Sequence, residues 1–307
     1  LNSGFKVING GSSPSSFSHF SGGEYFFISP RVLINIFKIL KDFKNINHLI
    51  YKEKPDIVIV NSMTLFWIGK IAKKYNTKTI CFVRETYAKG LFGLRTSYIK
   101  RKISKYFDKV AFISDFDLQQ SISLKCRKEV IYNSLNVESY DVLNKFNEST
   151  KLGFTNENFY FLFVGGMSKL KGAHIIIKAL TKTHAKNIKL IFVGYTWNGK
   201  RKKIEDCKNW KQKIRYLLNI DYEKKCLDII IKNNISEKIK FYKSDENISK
   251  FFLVCDALIF PATKPHQARP VFEAGYSKIP VIISDFKNIR ETINKDNCFM
   301  FQNKNYF

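Results

Sequence analysis

Two stretches of this chain combine residue types that could hold a phosphorylated ligand and act on it. The first, Val164-Gly165-Gly166-Met167-Ser168-Lys169-Leu170-Lys171-Gly172, follows the apolar run Phe159 to Val164 and leads into a helical segment that begins at Gly172. Glycines let the backbone come close to a ligand, Lys171 stands immediately before the helix, and the helix's free N–H groups would point back toward the loop. A glycine-containing loop, a lysine and a helix N-terminus together make an anion site suited to a diphosphate. The same letters also describe a plain strand-to-helix turn with exposed lysines. The second stretch, residues 255–291, places Lys264, His266 and Arg269 in a loop, with Ala268 and Glu273 at and within the helical segment that follows. Arg84-Glu85 is a third cluster, two charges at the end of the run Thr79 to Val83. It reads as a local ion pair on the rim, or as a contact to a ligand across a cleft.

These residues need a frame that sets them side by side. Short apolar runs, dense enough to be strands buried on both faces of a parallel sheet, recur at Ile57 to Val60, Thr79 to Val83, Val110 to Ser114, Val130 to Ser134, Phe159 to Val164, Lys189 to Val193, Lys238 to Tyr242, Ala257 to Phe260 and Val281 to Ile283. Helical segments alternate with them, so the expected architecture is α/β and doubly wound, with ligands beyond the carboxyl ends of the strands. Gly194 ends one such strand, on the ligand side. Phe5 to Ile8 reads as a further short strand, and the Gly/Ser-rich residues after it read as a mobile surface loop or an acceptor-binding one. Val32, Leu33, Ile36, Leu40 and Phe43 recur at helical spacing and predict a packed helix, whereas residues 136–157 read as a polar connection.

Composition bounds the partners. A chain of 307 residues can hold two α/β domains, and 45% hydrophobic content with 28 Phe excludes general disorder. The formal charge of +26 makes nucleic acid, an acidic membrane or a phosphorylated substrate plausible and does not choose among them. Six cysteines with no C-x-x-C or Cys/His ligand spacing point to a reduced compartment rather than to a disulfide framework or a zinc site. No apolar run long enough to span a membrane is present. Residues 91–109 form a basic amphipathic helix with Leu94, Tyr98, Ile99, Ile103, Tyr106 and Phe107 on one side, fitted either to an anionic membrane interface or to a core with a solvated basic face. The Lys- and Arg-rich residues 198–215, Lys200-Arg201-Lys202-Lys203 among them, read as a solvated helix surface or as a patch for membrane phosphates or a polyanion.

The spacing V-G-x-x-x-x-x-K-G at residues 164–172 resembles, position by position, the phosphate-binding loop of family 4 (group 1) glycosyltransferases. The P-H-x-x-R-P-x-x-E-A pattern at residues 265–274 is similar to one branch of their donor site. The resemblance covers roughly residues 50–300. It implies the GT-B fold, two Rossmann-like domains facing a central cleft, here residues 1–134 on the acceptor side and 135–307 on the nucleotide-sugar side. The first domain is expected to lack its first strand, and the second its last helix.

The resemblance further implies transfer of a sugar, with retention, from a nucleotide-sugar donor to the hydroxyl of a saccharide or lipid-linked saccharide. Cell-surface polysaccharide or lipopolysaccharide assembly is the setting it suggests. Lys171 would neutralise the leaving diphosphate with help from backbone N–H groups near Ala268 and Arg269, and Glu273 would hold the ribose. Gly165, Gly166, Lys169 and Gly194 would line the donor site. Two departures stand out. The family's arginine after the first glycine is Gly166 here, with Lys169 the candidate replacement, and its first glutamate is Pro265, with His266 the nearest polar substitute. The nucleotide sugar is a substrate, so no cofactor is implied, and the lack of an Asp-x-Asp motif implies no required metal. The expected location is cytoplasmic, with the inner face of the membrane as a candidate docking surface. The readings kept beside it are a basic nucleic-acid-binding protein, disfavoured because no recognition motif is visible, and a glycosyltransferase-like binder that lost catalysis.

Overall fold

Strands form where β-branched and aromatic residues run together between turn residues, and the apolar runs of this chain do so almost without exception. A computed structural model describes residues 14–17, 30–87, 91–141, 143–218, 220–244, 247–265, 268–293, 296 and 298–302. The chain divides into two units, residues 1–133 and 134–307.

The first unit runs α1 (Pro30–Glu53), β1 (Ile57–Val60), α2 (Phe66–Lys74), β2 (Lys78–Val83), α3 (Leu94–Tyr106), β3 (Lys109–Phe112), α4 (Asp115–Gln119) and β4 (Arg127–Val130). Its sheet is parallel throughout, in the order β1-β2-β3-β4. Ser62 caps the short 3-10 turn before α2, and Ser114 caps α4, each accepting a backbone N–H two or three residues on. The core gathers Met63, Phe66, Trp67 and Ile71 with Ile99, Ile103, Phe107 and Phe112.

Three expectations change in this unit. The last strand lies at Arg127–Val130 and not at 130–134, because an edge strand tolerates the charged residues Arg127, Lys128 and Glu129 that hid it. Helix α1 packs through Ile39, Phe43, Ile46 and Ile50, while Ile36 and Leu40 stay exposed one step round the helix. Residues 14–17 are held in place: Phe17 N–H donates to Thr64 O at 2.8 Å, the Phe17 ring packs on Phe66, and Trp67 donates to Ser15 O. Phe5 to Ile8 and most of the Gly/Ser stretch lie outside the described residues. On α3, Ile99 and Ile103, with Phe107 just beyond it, are buried in the core, whereas Leu94 and Tyr98 of the same side are exposed.

The second unit runs α5 (Glu138–Asp141), α6 (Lys145–Leu152), β5 (Phe159–Val164), α7 (Ala173–Thr181), β6 (Ile188–Val193), α8 (Trp210–Leu217), α9 (Tyr222–Lys232), β7 (Ile239–Tyr242), α10 (Ser249–Val254), β8 (Ala257–Phe260), α11 (Arg269–Tyr276), β9 (Val281–Ser284) and β10 (Phe299–Phe301). The polar connection expected at 136–157 therefore contains two helices. Asn144 caps α6 through its side chain, and Gly153, at φ 63°, ends it.

The six strands are parallel and lie in the order β10-β9-β8-β5-β6-β7. The chain leaves β5 toward one edge and returns to build the other from β8, so a crevice opens between β5 and β8 at their carboxyl ends. Alternate residues of β5 feed two cores. Tyr160 and Leu162 join Phe251, Phe252, Val271 and Ala274 on one face, and Phe163 joins Ile177, Phe192 and Ile230 on the other. All six cysteines are free thiols, and five of them are buried.

Candidate functional site

Three chain reversals meet at that crevice, and glycine lets them do so. Gly166 lies at φ 65°, and a Cβ there would stand 2.8 Å from Gly194 O. No side chain fits at position 166 unless the loop after β6 moves, which gives the missing arginine a steric reason. At Gly172, φ 79°, an added Cβ would fall 1.8 Å from Pro261 O, so the start of α7 touches the end of β8 through bare backbone. Thr263 fastens the same two loops, its N–H donating to Leu170 O at 2.9 Å and its hydroxyl to Lys169 O at 3.1 Å.

The result is a cleft of about 480 Å³. Val164, Gly165 and Gly166 line it from β5, Val193 and Gly194 from β6, and Arg269, Pro270 and Glu273 from α11. Ser244 and Ile248 close the side next to α10. Gly165, Gly166, Gly194, Arg269 and Glu273 are thus brought together. Ala268, fully buried, is the N-cap of α11. Lys171 lies against Gly165 and sets its ammonium 5.5 Å from the Phe260 ring, and burial lowers its pKa. Lys169 is exposed on the loop, and His266 lies outside the described residues.

Glu273 carries the sharpest electrostatics of the cleft. Only 5% exposed, its carboxyl is pushed up by burial and partly held down by Arg269, whose Nε donates to Oε1 at 3.1 Å. The helical spacing of four residues makes the pair, and the Arg269 side chain stays largely in solvent. A carboxylate with one oxygen engaged and the rest facing a cleft can accept hydroxyl donors, as a ribose offers. Tyr140, from α5, lies beside it. Its hydroxyl is screened from water and has no hydrogen-bond partner among the described residues, and burial, then the Glu273 carboxyl, raises its pKa. Ser244, Ile248 and Tyr140 were not singled out from sequence, since they belong to segments without glycine or periodic signal.

One expectation fails here. The start of α7 does not present free amides: Ala173 N–H donates to Ser168 O, Ile175 N–H to Gly172 O, and His174 N–H to the Tyr222 hydroxyl at 3.0 Å. Backbone turns take the first two, and the third is taken by Tyr222, which reaches over from α9 and also meets His174 Nδ1 at 2.9 Å and Ser168 O at 3.3 Å. At the start of α11, Val271 N–H is taken by Ala268 O at 2.8 Å, which leaves the amides of Ala268 and Arg269, with the Lys171 and Arg269 side chains, as the candidate donors to an anion. Pro270, early in α11, has no N–H to leave unsatisfied.

In the first unit, Arg84 and Glu85 do not face each other. The Arg84 guanidinium reaches Asn133 at 3.1 Å and Asn61 at 3.5 Å. Glu85 binds the Ser62 hydroxyl and Met63 N–H, fixing the turn before α2, and burial raises its pKa. Lys202, part of the basic run, is not a surface cation: it is buried and paired with Asp221 and Glu223. Among the described residues no three His, Cys, Asp or Glu gather as a metal would need, and no helix is long and apolar enough to cross a membrane.

A six-stranded Rossmann sheet with a glycine-walled cleft at its switch point, joined to a second parallel α/β unit, defines a GT-B protein. The family model for glycosyl transferases group 1 matches residues 144–306, and the chain belongs to that family. Among solved structures, HepE from Anabaena in complex with UDP and glucose aligns with a TM-score of 0.67 at 17% identity, over 84% of this chain and 68% of its own. A glycosyltransferase from Rickettsia africae aligns at 0.65 and 19%, over 92% and 70%. WaaG, a glycosyltransferase involved in lipopolysaccharide biosynthesis, aligns at 0.55 and 14%, over 85% and 82%. No curated protein matches the sequence.

Proposed function

We propose that this chain transfers a sugar, with retention at the anomeric carbon, from a nucleotide-sugar donor to a hydroxyl of a saccharide or lipid-linked saccharide acceptor. The buried Glu273, poised by Arg269 in the glycine-walled cleft at the switch point, carries this reading. Its carboxylate would hold the ribose hydroxyls. Gly165, Gly166 and Gly194 would let the backbone approach the diphosphate, and the first turn of α11 at Ala268 and Arg269 would face its charge. Lys171, cationic and partly desolvated, would meet the negative charge that grows on the leaving diphosphate as the glycosidic bond breaks. Glu273 is a binder in this scheme and not a nucleophile. The acceptor proton would pass to a donor phosphate oxygen, which needs neither a protein base nor a metal.

The P-H-x-x-R-P-x-x-E-A pattern supports a place in the branch with His266 near the position of the first glutamate. Arg84, at a strand end of the first unit, is the acceptor-side candidate, whereas the contacts of Glu85 give it a structural task. HepE was solved with UDP and with UDP-glucose, and WaaG acts in lipopolysaccharide biosynthesis, which supports a uridine diphosphate sugar and surface-polysaccharide assembly at the inner face of the cytoplasmic membrane.

The test is turnover of a panel of sugar nucleotides with the anomeric configuration of the product read by NMR. An α-linked donor should give an α-linked product, and Lys171→Ala should lower kcat about a hundredfold or more. An inverted product would overturn the retaining mechanism, and an unchanged kcat would remove Lys171 from it.

A further inference from the structure

The segment between β6 and α9 carries the most exposed apolar surface of the second unit on a small, heavily basic element. Trp210, Ile214, Leu217, Leu218 and Ile220 are 65%, 44%, 69%, 64% and 56% exposed, and α8 buries none of its residues. At helical spacing the first four fall within an arc of about 100°. The opposite side of α8 is the one fixed to the protein: Tyr216 donates its hydroxyl to Lys202 O at 3.2 Å and lies under the Lys224 ammonium, and Gln212 bonds the Lys208 and Asn209 ends of the preceding turn. Lys202 is itself anchored on Asp221 and Glu223, so the element is fastened with its apolar stripe outward.

Cations border that stripe on both sides. Lys211 and Lys213 flank it, Lys211 with its ammonium 5.3 Å from the Trp210 ring, and Lys200, Arg201, Lys203, Lys208 and Arg215 are exposed in the same segment, whose exposed acids are Glu205 and Asp206. A tryptophan and three aliphatic side chains between lysines is the arrangement that enters the boundary of an anionic bilayer, where apolar groups sink and long cationic stems reach phosphates. A second protein would more often be met by an apolar centre with cations depleted. We propose that α8 and its flanking basic turns form the membrane-docking surface of this protein, taking the headgroups of anionic phospholipids. This extends the lipid-linked-acceptor reading and prefers α8 to α3, which spends Ile99 and Ile103 on the core.

The test uses the full chain without donor or acceptor, so its outcome is independent of catalysis. Flotation is measured at low salt with vesicles of phosphatidylcholine alone and with about one-third phosphatidylglycerol. The protein should float with the anionic vesicles only, and its tryptophan emission should shift to the blue. Trp210→Phe should keep most of the flotation and lose the shift. Leu217→Ser with Leu218→Ser should weaken partition about tenfold or more, with an unchanged thermal midpoint and unchanged donor binding. Absence of flotation, or flotation that the double substitution leaves intact, would overturn the proposal. So would self-association, seen by sedimentation without lipid, that the double substitution abolishes, since the stripe would then cover a second copy.

Discussion

At Glu273 burial and ligand recognition pull in opposite directions: its carboxyl is shut away from water, and Arg269 alone among the described side chains offsets that burial. Glu273→Gln keeps the shape and removes the charge. It should leave the fold intact and weaken nucleotide-sugar affinity by about ten- to a hundredfold, read by calorimetry. Because burial raises the Glu273 pKa, donor affinity should fall on acidification from a pH above the ordinary glutamate range, and the substitution should remove that limb. His174 gives the second test at this scale. Burial first, then Lys178 and Lys169, lower its pKa to about 4, so between about 6.5 and 4 the unfolded chain binds the extra proton. Stability is thus full above pH 6.5 and declines as pH falls, by about 3 kcal/mol across the window. Urea titrations at pH 7 and 4.5 should show a drop that His174→Gln reduces, and an equal drop in both proteins would contradict it. Arg269 and Glu273 were legible through the R-P-x-x-E-A pattern, although Arg269, expected in the loop, is the first residue of α11. Tyr222 was not, since it reaches the phosphate loop from 48 residues beyond His174.

The elements around the cleft depend on backbone contacts that leave no room for side chains. Gly172→Ala would drive a Cβ into Pro261 O at a left-handed backbone, and should cost more than about 3 kcal/mol or prevent soluble expression. Gly275→Ala is the contrast: it sits on the exposed face of α11 with nothing within 4 Å of the added Cβ, and should stabilise by about 0.5–1 kcal/mol in thermal unfolding. The short edge strand β10 was not expected, whereas the other five of the six strands of the second unit were legible to within a residue as apolar runs. β4 was not, because an edge strand carries charges, and neither were α5 and α6, whose signal is capping by Asn144 and Gly153 rather than apolar periodicity. The start of α7 was legible as a helix and misjudged as open, because no local pattern reports a hydroxyl arriving from α9.

For the whole molecule, the charge of +26 is distributed between two tasks that composition could not separate. Some cations are structural, as Lys202 is between Asp221 and Glu223, and others border exposed apolar surface at α8. Vesicle binding should therefore weaken steeply as salt rises, while donor binding in the partly closed cleft should respond far less. The central claim, that the crevice between β5 and β8 binds a nucleotide sugar, is tested most directly by thermal unfolding against a panel of sugar nucleotides. A donor at a hundred times its Kd adds about 2.7 kcal/mol to the stability of the folded state, enough to move the midpoint by several degrees. The account predicts such a shift with one donor class, lost or greatly reduced in Glu273→Gln and Lys171→Ala. A midpoint that no sugar nucleotide moves, or a shift that survives both substitutions, would contradict it.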